Sequence, residues 1–355
     1  MAYPIPGELV AWLNQFSHAS LIADWASQPG LIRAQSGTVF HIDLPFAATS
    51  LQQELRQWLT ANQPPAQYEI NVHVVPKALV THVEQPLKGV KNIIAVTSAK
   101  GGVGKSTTAV NLALALAASG AKTGLLDADI YGPSVPMMLG TMDADISVKD
   151  GKWMLPVEAH GLYNHSIGYL MDKNDAAIWR GPMASKALGQ LVNETLWPDL
   201  DYLVIDMPPG TGDIQLTLSQ QIPVTGAIVV TTPQDLALAD ARKGVTMFHQ
   251  VEVPVVGLVE NMSYHRCSAC GHKEYIFGTG GALKMAETYG LSLLAQIPLH
   301  LHVREDIDAG CPTVVARPDS EHTQLYLQLA EQIASRMYWN GKVKPESIDV
   351  AMVEG

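Results

Sequence analysis

The run Ala99-Lys100-Gly101-Gly102-Val103-Gly104-Lys105-Ser106-Thr107 carries the strongest chemical signal in the chain. Glycines in such a run let backbone N–H groups converge on phosphate oxygens, Lys105 supplies a point charge for the β and γ phosphates, and Ser106 offers a hydroxyl to Mg²⁺. The strict pattern G-x-x-x-x-G-K-[ST] would place glycine at position 99, where this chain has alanine. Even so, Gly-Gly-x-Gly-Lys-Ser at a strand-to-helix turn has few bland explanations beyond a purely structural glycine turn. Residues Lys100 to Thr107 are therefore expected to bind ATP with Mg²⁺, and the chain to hydrolyse the ATP.

Two acidic segments reinforce that expectation. Leu125-Leu126 leads into Asp127-Ala128-Asp129-Ile130-Tyr131-Gly132-Pro133-Ser134, and Leu203-Val204-Ile205 leads into Asp206 and a Pro/Gly-rich stretch through Asp213. An acid after an apolar strand can hold Mg²⁺ directly or through water, and ligands bind at the carboxyl ends of such strands. Capping a helix is the plain alternative for one of Asp127 and Asp129. A different chemistry is offered by Cys267-Ser268-Ala269-Cys270, flanked by His265 and His272. Two thiolates are half the set that a 4Fe-4S cluster wants, and a second chain on a two-fold axis would supply the other half. Zinc held by His265, Cys267, Cys270 and His272, a redox dithiol, and inert thiols are the competing readings. Cys311 precedes Pro312 with no second cysteine nearby and reads as a small packed residue.

The elements that must position these residues are legible as pattern. Strand Asn92–Ser98, helix Ser106–Ser119 and strand Thr123–Asp127 alternate, and the runs Tyr202–Asp206, Ala227–Thr232 and Val255–Glu260 are near-continuously apolar, as in parallel strands buried on both faces. The expected fold class is α/β, a doubly wound and mostly parallel sheet. Before it, helix-like runs at Glu8–Phe16 and Leu51–Leu59 and alternating segments at Thr38–Leu44 and Tyr68–Val74 suggest a small α+β domain. The domain limits follow as 1–85, a linker at 86–91, an ATPase domain at 92–340 and a tail at 341–355.

Composition narrows the function classes. A chain of 355 residues with 47% hydrophobic residues can bury a large core. The longest apolar stretch, around Ala109 to Ala118, falls short of the roughly 20 residues that cross a bilayer, and the N-terminus has no signal-peptide pattern. A cytoplasmic location is expected, where three cysteines suit metal or redox chemistry better than disulfides. The net charge of −11 opposes nucleic acid and anionic membrane as partners.

Lys100, ahead of the glycines, resembles the signature lysine of the deviant Walker A ATPases, in which two subunits sandwich two nucleotides. That resemblance implies a homodimer in which Lys100 reaches the partner's phosphates, with Asp129 activating water in a first switch and Asp206 opening a second. It also implies that Asn261 reads the adenine edge. With Trp179-Arg180-Gly181-Pro182-Met183 and the Cys267/Cys270 pair in the same order, the chain is similar to the Mrp/ApbC family of iron-sulfur cluster carriers from about Gly89 to about Met337. The residues before it resemble the MIP18-type domain found in many bacterial members. The family resemblance implies a 4Fe-4S cluster held between two subunits and passed to apo-proteins, with cluster scaffold proteins as further partners. No role for Trp179 to Met183 follows from it; a core or interface turn is the plain reading. A spatial-positioning or partition ATPase, or an ATP-dependent synthetase, would use the same fold. Ala334 to Gly355 forms no basic amphipathic landing helix, however, and neither alternative gives the cysteine pair a role.

Overall fold

The computed structural model describes residues 3–170, 181–210, 212–267 and 269–345. Trp179, Arg180, Thr211, Ser268 and the tail beyond 345 lie outside the described residues.

The N-terminal segment forms α1 (Gly7–Leu13), β1 (Ile32–Ala34), β2 (Val39–Leu44), α2 (Ser50–Ala61) and β3 (Glu69–Val74). Alternation along β2 turns Phe40, Ile42 and Leu44 inward. The three strands lie in the order β1-β2-β3, with β1 antiparallel and β3 parallel to β2. Helix α2 makes the crossover between the parallel pair and buries Leu51 and Leu55.

The remainder winds around a second sheet. Its elements are β4 (Val90–Thr97), α3 (Lys105–Ala118), β5 (Thr123–Asp127), α4 (Val135–Met138), β6 (Val148–Lys149), β7 (Trp153–Met154), β8 (Val157–Ala159), β9 (Leu162–Ser166), α5 (Gly181–Glu194), β10 (Leu200–Asp206), α6 (Asp213–Gln221), β11 (Gly226–Thr231), α7 (Asp235–Gln250), β12 (Val255–Arg266), β13 (Lys273–Glu274), α8 (Gly281–Tyr289), β14 (Leu293–Leu299), α9 (Leu301–Asp308), α10 (Thr313–Ala316) and α11 (Glu321–Asn340). Among the described residues the sheet runs β13-β12-β11-β4-β10-β5-β9-β8, with β14 also paired to β12. Only β8 and β13 are antiparallel to their neighbours in it. The mostly parallel, doubly wound α/β sheet is thus present, and β5 and β11 are buried along their whole length.

One strand differs from its sequence signature in a way that matters. The apolar run stops at Glu260, but β12 continues to Arg266. Pairing with β14 and then β13 carries the more polar stretch Asn261 to Arg266 as strand, with a register shift between Asn261 and His265. Tertiary pairing here overrides the local pattern.

The two sheets share a hydrophobic core, in which Leu9, Phe40 and Leu51 belong to the same cluster as Leu112, Val204 and Ile333. The joint is fixed by Glu331 of α11, which is 2% exposed. Its carboxylate accepts the N–H groups of Thr49 (2.9 Å) and Ser50 (2.8 Å) and the hydroxyl of Ser20 (2.6 Å). It therefore caps the N-terminus of α2 from far away in sequence, where the helix has no side-chain cap of its own. Trp339 of the same helix donates its indole N–H to the Ser20 carbonyl. Among the described residues no helix is long and apolar enough to cross a membrane.

Truncating Glu331 strands five donors, the N–H groups of Thr49, Ser50 and Leu51 and the hydroxyls of Ser20 and Ser50, and opens the joint. Glu331→Ala should lower the unfolding free energy in urea by about 3 kcal/mol. A loss under about 0.5 kcal/mol, the range of ordinary surface changes, would refute this account of the joint.

Candidate nucleotide site and cysteine hairpin

Strands β4, β5 and β10 run parallel and in register, so Val96 lies beside Asp206 and Asp206 beside Asp127. Their carboxyl ends therefore deliver the phosphate loop and both acidic segments to one place. Gly102 (φ 83°) and Gly104 (φ 79°) adopt the left-handed backbone that this loop requires, and Lys105 opens α3 directly afterwards.

Lys105 is the centre of the site and is 6% exposed. Its Nζ lies 2.5 Å from Asp206 Oδ1, 3.2 Å from Ser106 Oγ and 3.8 Å from Asp129 Oδ2. Asp206 is fully buried, and its Oδ2 has no hydrogen-bond partner among the described residues. A buried carboxylate oxygen left over beside a serine hydroxyl is a donor set that suits a hard cation, so Asp206 and Ser106 fit Mg²⁺.

The two aspartates that follow β5 divide their roles. Asp127 is fully buried and accepts N–H groups from Asp129 (3.1 Å), Ser134 (3.0 Å) and Val135 (3.1 Å), together with the Ser166 hydroxyl (3.0 Å). It folds the loop after β5 and caps α4, which leaves Asp129 to face Lys105. Burial, and then the charge of Asp206, push the Asp127 carboxyl up to about 7. Burial also raises Asp129, against the opposing pull of Lys105.

Gln215 and Ser166 were not marked by the sequence. Gln215, 2% exposed on α6, donates to Thr97 Oγ1 (2.8 Å) and to the Pro208 carbonyl (2.6 Å), tying the segment after Asp206 to the strand before the phosphate loop. A polar residue on the inner face of a short helix was the available signal. Lys100 is exposed, with no side-chain partner among the described residues. Asn261 lies against the loop instead: its Nδ2 donates to the Val103 carbonyl (2.9 Å), and a Cβ on Gly104 would collide with it.

Six residues after Asn261, β12 and β13 form a hairpin whose tip holds the cysteine pair. Cys267 N–H donates to the His272 carbonyl (2.9 Å), and Gly271 N–H to the Cys267 carbonyl (2.8 Å). The turn aims the backbone N–H groups of Cys270 and Ala269, and then the Cys270 thiol, at the Cys267 sulfur and holds its pKa below the usual thiol range. Cys270 is exposed. Among the described residues no group of three or more His, Cys, Asp or Glu side chains is placed to hold a metal. Cys311 lies elsewhere, after α9. Gly181, Pro182 and Met183 begin α5.

A phosphate loop between β4 and α3, with two aspartates at the ends of the neighbouring parallel strands, defines a P-loop NTPase. The chain belongs to the ParA family described as NUBPL iron-transfer P-loop NTPase, whose profile matches residues 89–334. It is 66% identical over 262 residues to the iron-sulfur cluster carrier protein of Salmonella typhimurium, covering 74% of this chain and 71% of that protein. The iron-sulfur cluster carrier protein of Haemophilus influenzae is 55% identical over 344 residues, 95% of this chain and 93% of that one. The mouse iron-sulfur cluster transfer protein NUBPL is 48% identical over 256 residues, covering 72% of this chain and 80% of its own length. Among solved structures, an Archaeoglobus fulgidus nucleotide-binding protein in complex with ADP superposes with a TM-score of 0.59 at 35% identity, over 68% of this chain and 93% of that one.

Removing the Lys105 charge should cost ATP affinity by about 100-fold, equivalent to roughly 2.8 kcal/mol. Titration of Lys105→Ala with a fluorescent ATP analogue measures it, with circular dichroism to establish folding. Unchanged affinity in a folded variant would contradict the assignment.

Proposed function

We propose that this protein is an ATP-hydrolysing carrier that holds a 4Fe-4S cluster between two subunits, through Cys267 and Cys270 of each, and transfers it to apo-proteins. The observation that carries this reading is a single strand: β12 presents Asn261 to the phosphate loop and, six residues on, Cys267 at its hairpin tip. Six residues separate Asn261 from Cys267, so the connection between nucleotide and thiols is short. The names of the relatives support the cargo, and the paired thiols with a lowered Cys267 pKa support ligation of iron.

In this reading ATP draws Lys105 from Asp206 to the β and γ phosphates. Asp206 and Ser106 would hold Mg²⁺, which would offset the phosphate charge, and the backbone of Gly101 to Thr107 cradles the phosphates. Asp129, placed by Asp127, orients the attacking water. Lys100 is free to cross to the partner subunit, where its charge stabilises the transition state as an arginine finger does. Asn261 meets the adenine edge, and in turning to it changes its hold on Val103. The two nucleotide states thereby differ at the start of the segment that ends in the cysteines, which is what coupling requires. Residues 1–85 are proposed as a MIP18-like domain, 86–91 as its linker, 92–340 as the ATPase domain and 341–355 as a tail. A cytoplasmic homodimer serving recipient and scaffold proteins, without nucleic acid or membrane, completes the proposal.

Iron, sulfide and zinc content after anaerobic reconstitution tests it. The expected result is about four irons and four sulfides per dimer, lost in Cys267→Ala/Cys270→Ala while ATP binding persists. Zinc alone, or no metal in either protein, sinks the carrier reading and leaves a P-loop NTPase of other purpose.

A further inference from the structure

Beside the cysteine hairpin lies a cavity of about 310 Å³ whose walls include Arg266, Cys267, His300, His302, Arg317 and His322. The volume sits at the small end of the range for small-molecule sites, roughly 300–1,000 Å³. Its floor is the corner between β14 and α9, and one wall is the first turn of the 20-residue α11. The His300 ring stands 4.5 Å from His302 and 5.3 Å from His322, centroid to centroid.

The donors and acceptors facing this space are fixed by what they already bind. His322, 6% exposed, meets the Pro298 carbonyl through Nε2 at 3.1 Å. A carbonyl only accepts, so the proton is on Nε2, and Nδ1 is left as an acceptor with no partner among the described residues. Arg317 uses Nε on Asp306, at 2.9 and 3.1 Å from its two oxygens, while its terminal amino groups make no hydrogen bond to the described residues. Asp306 is further occupied by the Thr313 hydroxyl (3.0 Å). Arg266 is only loosely paired, 3.5 Å from Glu321. The N-terminal end of α11 adds the positive pole of its dipole. The cavity thus combines guanidinium donors not bonded to the described residues with an acceptor on the buried ring of His322, beside the carboxylate of Glu321 that Arg266 partly offsets. It does not hold a metal site, since no three ligating side chains converge there among the described residues.

We propose that this cavity binds a small carboxylate that carries a hydrogen-bond donor next to it, the hydroxycarboxylate or amino-acid class. The carboxylate lies on the Arg317 amino groups, with His300 and His302 at its edge, and the hydroxyl or ammonium donates to His322 Nδ1. The assignment rests on the cavity walls and not on the cluster reading, so metal-free protein tests it.

Citrate and propane-1,2,3-tricarboxylate, the same acid without the hydroxyl, are titrated calorimetrically into metal-free full-length protein. Citrate is expected to bind, and the analogue to bind about tenfold more weakly, the value of one hydrogen bond to an otherwise unpaired group. Arg317→Gln and His302→Glu should each weaken citrate by about tenfold or more through lost or opposed charge. His302 is exposed, so its variant keeps the test valid if Arg317→Gln fails to fold. Cys270→Ser, which abolishes cluster loading in the carrier reading, should leave citrate affinity unchanged. No binding up to about 10 mM citrate, equal affinity for the two acids, or citrate binding indifferent to His302→Glu would each overturn the proposal.

Discussion

The buried contact between Lys105 and Asp206 governs the arrangement around it. A lysine and a carboxylate taken out of water each cost several kcal/mol, and the structure holds both because they meet at 2.5 Å with Asp129 and Ser106 close by. That meeting requires the first residue of α3 and the last of β10 to coincide at one end of the sheet, which the register of β4, β5 and β10 provides. Asp127 adds a second fully buried carboxyl, kept there by three N–H groups and a hydroxyl. The loop after β5 is therefore folded around a carboxylate, and its neighbour Asp129 is the one that faces Lys105.

Much of this was readable from residue types. Gly-Gly-x-Gly-Lys-Ser has a job for every side chain, and the strands ending in Asp127 and Asp206 are apolar enough to place both acids. What pattern could not supply was pairing at a distance. Asn261 to Arg266 lies beyond the continuous apolar run, with only Met262 and Tyr264 alternating among polar residues, yet it is strand because β14 and β13 bond to it. Gln215 looks like any amide on an amphipathic helix until Thr97 and Pro208 are placed beside it. The contacts of Glu331 are invisible in the same way, since nothing local distinguishes it from a solvated helical glutamate.

Helix α11 contacts separate parts of the molecule along its length. Its first turn touches the hairpin through Glu321, which accepts from Tyr264 (3.3 Å) and lies 3.5 Å from Arg266. Three turns on, Glu331 seats α2, and Trp339 near the end grips Ser20. A 20-residue helix is about 30 Å long, so the N-terminal sheet and the cysteine turn are set against the same strut. Movement of one relative to the other must pass through bending or sliding of α11.

The Glu331 joint also bears on how the chain matures on the ribosome. Ser50 and Glu331 are 281 positions apart, so the open end of α2 emerges long before the residue that caps it. At translation rates of about 5–20 residues per second, that interval is on the order of tens of seconds. Through it the open end of α2 stays uncapped, and a chain that stops before α11 lacks that cap altogether.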